Sequence, residues 1–171
     1  MSAVAYIPSY SEAPAIREQP SPASHVGQKL SGLLANVTEH ARRNASDWRP
    51  LTNALIEELA QQCRSPNWDG YGAQPVSESA KVQAQRFIDL LPYHLPAPDP
   101  VADPDGDLAL SWDFGPGHVF SLSVGADGTL TYAGLLGGGV KRHGVEKFRG
   151  DIPKVILQSI DELWERSSTA G

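Results

Sequence analysis

The hydrophobic period of the chain changes from about four residues to two at Leu108, and this change constrains the fold more than any other feature. From there to Tyr132, large apolar side chains alternate with small or polar ones in three short runs, which is typical of half-buried strands. The runs are separated by GPG at 115–117 and GADG at 125–128, short glycine-containing connections that commonly join antiparallel neighbours. The sequence therefore predicts an antiparallel meander with one apolar face.

The predicted meander has three strands over about 108–134, and a short fourth strand near 139–145 would extend it. Such a sheet needs a cover on its apolar face. The last periodic segment, about 152–166, supplies one, because it carries an apolar helical stripe with Asp151 as its cap and Pro153 in its first turn. The predicted fold class is therefore α+β, with a C-terminal helix lying on the sheet.

The N-terminal half is predicted to be helical. Apolar residues recur at helical spacing over about 26–43, 48–63 and 78–91, and each segment has one apolar face. The first segment has a stripe, here called the N-terminal stripe, that consists of Val26, Leu30, Leu33, Leu34, Val37 and Ala41. A proline-rich linker after the third helix is expected to be extended and stiff. We expect residues 25–171 to form a single domain.

Residues 1–24 combine Pro, Ser and Ala with few large apolar side chains. Burial of so little apolar surface does not offset the entropy of ordering the chain, so the segment is predicted to be a disordered arm. An alternative is a linear motif that folds on a partner and is built on Tyr6, Ile7, Tyr10 and Ile16.

Composition narrows the classes of function. The net charge of −6 argues against nonspecific binding to nucleic acid or to an anionic membrane. Cys63 is the single cysteine, so no intramolecular disulfide forms, and its place on an apolar stripe predicts a core residue. The N-terminus lacks a signal-peptide pattern, and no apolar run approaches the roughly 20 residues that span a bilayer. We expect a cytoplasmic protein without a membrane segment and without a cofactor.

The segment NWDGYGA at 67–73 follows the second predicted helix. Its Asn, Asp and Gly residues favour turns, whereas Trp68 and Tyr71 carry large apolar surfaces. We expect both rings to be buried and to pin the loop to the core, with Asp69 accepting backbone N–H groups in an Asx turn or helix cap. The alternative is an exposed Trp68, Asp69 and Tyr71 surface that stacks on a sugar or nucleobase.

This segment also carries a resemblance. NWDGYGA, a Ser-capped helix, and a PDG turn that leads into a Trp-containing strand and a meander resemble a group of small bacterial proteins of uncharacterised activity with an NWD-x-YGA segment. The similarity covers about residues 65–133 and extends to the FRGDIP sequence before the last helix. The first 60 residues fall outside it. The resemblance implies no activity and no catalytic residue.

Two further segments suggest ligands and fit them poorly. DPDGD at 103–107 has the alternating carboxylates of a calcium loop, but Leu108 and Phe114 stand where such a loop needs Gly and Glu. A turn is the alternative, and we favour it. GLLGGGVKR at 134–142 suggests a phosphate loop, but Val140 separates the last Gly from the Lys. We favour a glycine-rich strand end or bulge.

A local basic excess follows the glycines. It consists of Lys141, Arg142, Lys147, Arg149 and Lys154. A candidate surface for an acidic protein or a phosphate combines the first four of these with His143. The alternative is a solvated face without a ligand. A His118 or His143 acid/base pair with Asp69 or Asp113 is a further option, although nothing in the spacing is diagnostic.

We predict a non-enzymatic protein-interaction module, a small bacterial accessory or regulatory protein that binds an unidentified protein partner. No catalytic constellation is recognisable, whereas the arm, a sheet edge and the basic excess are surfaces that partners use. Helices 26–43 and 48–63 also suggest a homodimer. Two other classes stay open: an enzyme acting on a phosphorylated or nucleotide ligand at 134–143, and a nucleic-acid-binding regulator.

Overall fold

The computed structural model describes residues 47–169. The helices are α1 (Arg49–Gln62), α2 (Glu78–Leu90) and α3 (Lys154–Thr169), and the strands are β1 (Asp99–Ala102), β2 (Leu108–Asp113), β3 (His118–Val124), β4 (Thr129–Leu136) and β5 (Lys141–Lys147). The strands form one sheet in chain order, and all neighbours are antiparallel. The predicted α+β class is confirmed. The arm predicted at 1–24 and the helix predicted at 26–43 lie outside the described residues.

The meander has more strands than the alternation predicted. β5 takes the place of the short fourth strand, and β1 forms in the proline-rich linker. Asp103 N–H donates to the Asp107 carbonyl at 3.0 Å, which with the strand register makes Asp99 and Val101 the residues bonded to β2. The backbone nitrogen of Pro100 therefore faces away from β2, the orientation in which an edge strand tolerates proline.

One core fills one face of the sheet. The alternating apolar side chains of β2, β3 and β4 point into it, and α1, α2 and α3 bring their buried residues to the same cluster. α1 lies against β1, α2 against β2 and β3, and α3 against β3 and β4. Ser77 begins α2 by accepting the Ala80 N–H on its side chain, as expected for an N-cap. The sheet is thus covered on one face.

The structure bears on two features of the composition, the single cysteine and the apolar content of the helices. Cys63 is buried in it and burial raises the pKa of its thiol to about 11, so it is an inert core residue, not a nucleophile. None of α1, α2 and α3 combines the length and the apolar character that crossing a membrane requires.

Candidate functional site

Strand β5 is an edge of the sheet, and no strand within residues 47–169 pairs with its outer side. Leu136 N–H donates to the Val140 carbonyl at 2.9 Å, and at the other end Phe148 N–H donates to the Gly128 carbonyl at 2.8 Å. Hydrogen-bonded pairs alternate along an antiparallel ladder, so the register assigns the bonds to β4 to Arg142, Gly144 and Glu146. The remaining residues of β5 direct their N–H and C=O groups outward, where no strand of the described chain pairs with them.

These outward groups belong to residues whose side chains are also accessible. Lys141, His143, Val145 and Lys147 are all exposed, and the apolar Val145 side chain is 64% exposed. The Lys147 side chain is engaged within the chain, because its Nζ donates to Asp127 Oδ2 at 2.7 Å and to Thr129 Oγ1 at 2.6 Å. Lys141 forms no ion pair within residues 47–169. This set of residues is called the β5 edge below.

Arg142 points to the other side of the strand and does not belong to the β5 edge. Its guanidinium lies 2.8 Å from Glu162 Oε2 and 3.3 Å from the buried Ser159 hydroxyl, both on α3. Glu162 holds Arg166 at 2.7 Å through its second oxygen. Arg142 therefore fastens β5 to α3. The candidate basic surface predicted from the sequence is not one surface, because Arg142 is directed inward and Arg149 follows the strand beyond the buried Phe148.

The glycine-rich stretch is a tight turn and offers no convergent phosphate site. Gly137, Gly138 and Gly139 all have positive φ, at 83°, 58° and 79°, a region open mainly to glycine. Val140 N–H closes the turn on the Gly137 carbonyl at 3.0 Å. Because side chains alternate along β5, Lys141 and His143 lie on one face and Arg142 on the other. The three cannot surround one phosphate.

The NWDGYGA loop half-buries Trp68 and exposes Tyr71, so the prediction that both rings are interior is wrong for Tyr71 and holds only in part for Trp68. Trp68 packs partly against the core and donates its indole N–H to the Gln74 carbonyl at 2.8 Å. Tyr71 is 82% exposed. The cause is local, since Gly70 and Gly72 have φ of 80° and 96° and turn the chain on both sides of Tyr71. The flanking glycines were the signal in the sequence that reasoning from ring size missed.

Asp69 holds the loop in this shape. Its Oδ1 accepts the N–H groups of Tyr71 at 2.8 Å and Ala73 at 3.0 Å, an Asx turn of the kind the sequence suggested. The same backbone hydrogen bonds hold the pKa of the Asp69 carboxyl below its ordinary value. The residue is thus engaged with the backbone of its own loop.

The acidic turn at 103–107 connects β1 to β2. Burial raises the pKa values of Asp103 and Asp107, and the Ser123 hydroxyl donates to Asp103 at 2.8 Å. Within residues 47–169, no group of three or more His, Cys, Asp or Glu side chains is placed to hold a metal ion. The segment serves as the turn that its Pro, Asp and Gly residues favour.

Comparison with known proteins adds no relative. The chain matches no protein-family model, no curated protein and no solved structure. The resemblance to bacterial proteins with an NWD-x-YGA segment therefore stays a prediction.

Proposed function

We propose that the protein is a non-enzymatic interaction module that binds an extended segment of a partner protein along the β5 edge. The observation that carries this proposal is the row of outward N–H and C=O groups of Lys141, His143, Val145 and Lys147. A partner strand adds to such a row through main-chain hydrogen bonds, and side-chain pockets at alternate positions give specificity. A role as a bacterial accessory or regulatory protein in the cytoplasm belongs to the same proposal.

The side chains of the β5 edge indicate the chemistry of the partner. Lys141 favours a carboxylate on the neighbouring strand, and the exposed Val145 favours an apolar side chain, since cross-strand pairs of these kinds are stabilising. The partner segment is therefore extended, free of proline at its paired positions, and carries acidic and apolar residues on the face that meets this row.

A second copy of the chain is a poorer partner for the same row. If two β5 strands pair antiparallel about Gly144, Lys141 of each copy stands opposite Lys147 of the other. Like charges directly opposite each other destabilise a strand pair. Lysine on an edge strand is also a common natural means of preventing self-association. A different, acidic chain is the partner that this arrangement accepts best.

A selection from random displayed peptides tests the proposal, with Val145→Pro as the key variant. Proline at 145 removes one outward N–H but no bond to β4, because Arg142, Gly144 and Glu146 make those bonds. We expect selected peptides with alternating carboxylates to bind wild type about tenfold more tightly than Val145→Pro, since a main-chain hydrogen bond is lost. Their affinity should also fall with added salt.

Val145→Ala is the matched control, because it keeps the N–H and removes only side-chain surface. Its affinity should stay much closer to that of wild type, and circular dichroism should give the same spectrum for all three proteins. A selection that enriches no peptide, or peptides that bind Val145→Pro as tightly as wild type, would contradict the proposal.

A further inference from the structure

We infer that the protein forms a weak homodimer in which two sheets pack face to face through the side that α1, α2 and α3 leave uncovered. All three helices pack with the inward side chains of the strands. The strand side chains on the opposite side, here called the open face, are half-buried or exposed except for Ala109. The inference does not depend on the partner proposed for the β5 edge, because the outward N–H and C=O groups of β5 lie in the plane of the sheet.

The strand register arranges the open face in rows that cross all five strands. Side chains on one face occupy every second position of a strand, so residues paired across the strands are neighbours on one surface. One row consists of Val101, Ala109, Ser123, Thr131 and Val145. The next row consists of Asp99, Ser111, Ser121, Ala133 and His143.

The centre of the open face is nearly free of charge. Its positions on β2, β3 and β4 carry Ala, Ser and Thr with Val119 and Leu135, and Asp113 is the one charged residue among them. Leu135 is 43% exposed. Interfaces keep charged residues at the rim and out of the core, and small side chains let a second sheet approach to about 10 Å. The open face therefore suits a second sheet.

The two sides of the open face carry opposite charges, which indicates that the second sheet belongs to another copy. The β1 side carries Asp99 and then Asp103, whose carboxylate accepts the Ser123 hydroxyl on this face. The β5 side carries Lys141 and His143.

A two-fold axis parallel to β3 places the β1 side of each copy over the β5 side of the other, so unlike charges meet at both rims. An axis across the strands would place like charges together. Packed sheets cross at about 30°, which shifts single contacts along the strands but keeps the two sides opposed.

The size of the open face predicts weak association. Four strand spacings and the seven residues of β3 give it dimensions of about 19 Å by about 24 Å. Two such faces bury on the order of 900 Å² in total, below the roughly 1,200 Å² at which stable interfaces begin. Dimerisation should therefore depend on protein concentration in the micromolar to millimolar range.

Sedimentation equilibrium of the full-length chain tests the inference, with Ser121→Arg as the key variant. Ser121 lies on the central strand, so the variant places two like charges across the two-fold axis. The average mass of wild type should rise from one chain towards two with concentration, and Ser121→Arg should raise the dissociation constant at least about tenfold. Val82→Arg adds the same charge at an exposed position of α2 and should behave like wild type.

A pair of charge variants tests the orientation of the two copies. Lys141→Glu with His143→Glu makes both sides of the open face acidic, and Asp99→Lys with Asp113→Lys makes both sides basic. Each variant alone should stay monomeric. An equal mixture should dimerise, because every β1 side then meets a β5 side of opposite charge.

The control for general attraction between acidic and basic proteins is Asp161→Lys with Glu165→Lys, at exposed positions of α3. The labelled acidic variant should bind this protein much more weakly than it binds the basic open-face variant. Equal binding to the two would overturn the proposed orientation.

A wild type that stays monomeric at millimolar concentration would overturn the inference, and so would a dimer that Ser121→Arg leaves intact. Circular dichroism verifies that each variant is folded. If Ser121→Arg does not fold, the mixture of charge variants decides, and its failure to dimerise would overturn the inference as well.

Discussion

The two edges of the sheet are built in opposite ways. β1 has four residues, and its outward positions are Pro100, which has no N–H, and the buried Ala102. α1 lies against it. β5 has seven residues without proline, and its outward positions alternate with inward ones along its whole length. Exposed edges invite pairing, and proteins usually close or charge them. In this chain, proline and burial block pairing at the β1 edge, whereas only charged side chains oppose it at the β5 edge. The β5 edge is therefore the one that a partner strand can reach.

The two edges are also held by different forces. On the β1 side, Ile56 and Leu59 of α1 are buried in the core. On the β5 side, the inward residues are Arg142, Gly144 and Glu146, so no large apolar side chain of β5 enters that core. β5 is attached by its ladder to β4 and by polar contacts. Substitutions should therefore cost much more stability near β1 than near β5.

The largest effect is expected for Ile56→Ala, because Ile56 is fully buried in α1. Loss of its side chain removes apolar contacts and leaves a cavity, so the free energy of unfolding should fall by about 2–5 kcal/mol. Urea denaturation followed by circular dichroism measures the change. Val82→Ala, at a half-exposed position of α2, should change it by less than about 0.5 kcal/mol. Similar losses for the two variants would break the comparison.

A smaller loss is expected for Gly144→Ala on β5. A Cβ at this position would lie 2.6 Å from Tyr132 Oη and 2.9 Å from its Cζ, so the ring must move and the cost is about 1–3 kcal/mol. Tyr132→Phe removes the hydroxyl and should relieve part of that cost in the double variant. Additive losses in a double-mutant cycle would show that the two residues are not in contact.

Glu162→Gln tests the polar attachment of β5. Its carboxylate holds Arg142 and Arg166 through different oxygens, but the pairs are partly solvated, so the expected loss is about 0.5–1 kcal/mol. Glu165→Gln, three residues along the same helix, is the control and should cost less, since Glu165 is exposed. Glu162→Gln should also speed amide exchange at Gly144 more than at residues of β3. A loss as large as that of Ile56→Ala would mean that polar contacts dominate this side.

The weakest effect is a pH dependence at the end of β5. Lys147 and Thr129 hold the pKa of the Asp127 carboxyl well below its ordinary value. A lowered pKa adds stability above the unfolded-state pKa of about 4 and withdraws it as pH falls below that value. Asp103 and Asp107 have raised pKa values and act in the opposite sense.

Comparison of wild type with Lys147→Ala isolates the contribution of Asp127. The difference in Tm between the two proteins should be present at pH 6 and shrink as pH falls below about 4. A difference that stays constant from pH 6 to pH 2 would show that the ion pair contributes nothing to stability.

Sequence reasoning succeeded where burial leaves a periodic pattern. The inward residues of β2 and β3, such as Leu110 and Phe120, are apolar at every second position, so the strands and their turns were predictable. β5 carries Arg142 and Gly144 at its inward positions and lacks that pattern. β1 was not predicted because it contains Pro100, and proline usually argues against a strand. A strand accepts proline where the backbone nitrogen faces away from the neighbouring strand, and composition does not reveal this orientation.

The candidate site was harder to predict than the fold. A run of basic residues predicts positive charge but not the face of the sheet on which each side chain lies. Because side chains alternate along β5, Arg142 and Lys141 lie on opposite faces. The exposure of Tyr71 depends on backbone angles at Gly70 and Gly72. In both cases, the direction of the side chain depends on the course of a short backbone segment. Residue type alone does not determine that course.

Amide hydrogen exchange of the full-length protein, followed residue by residue with nuclear magnetic resonance, tests the central claim most directly. The amides of Arg142, Gly144 and Glu146 should be protected, and those of His143 and Val145 between them should exchange nearly as fast as in an unstructured peptide. Strong protection at His143 and Val145 in the protein alone would contradict the account, because the outward side of β5 would then already be paired.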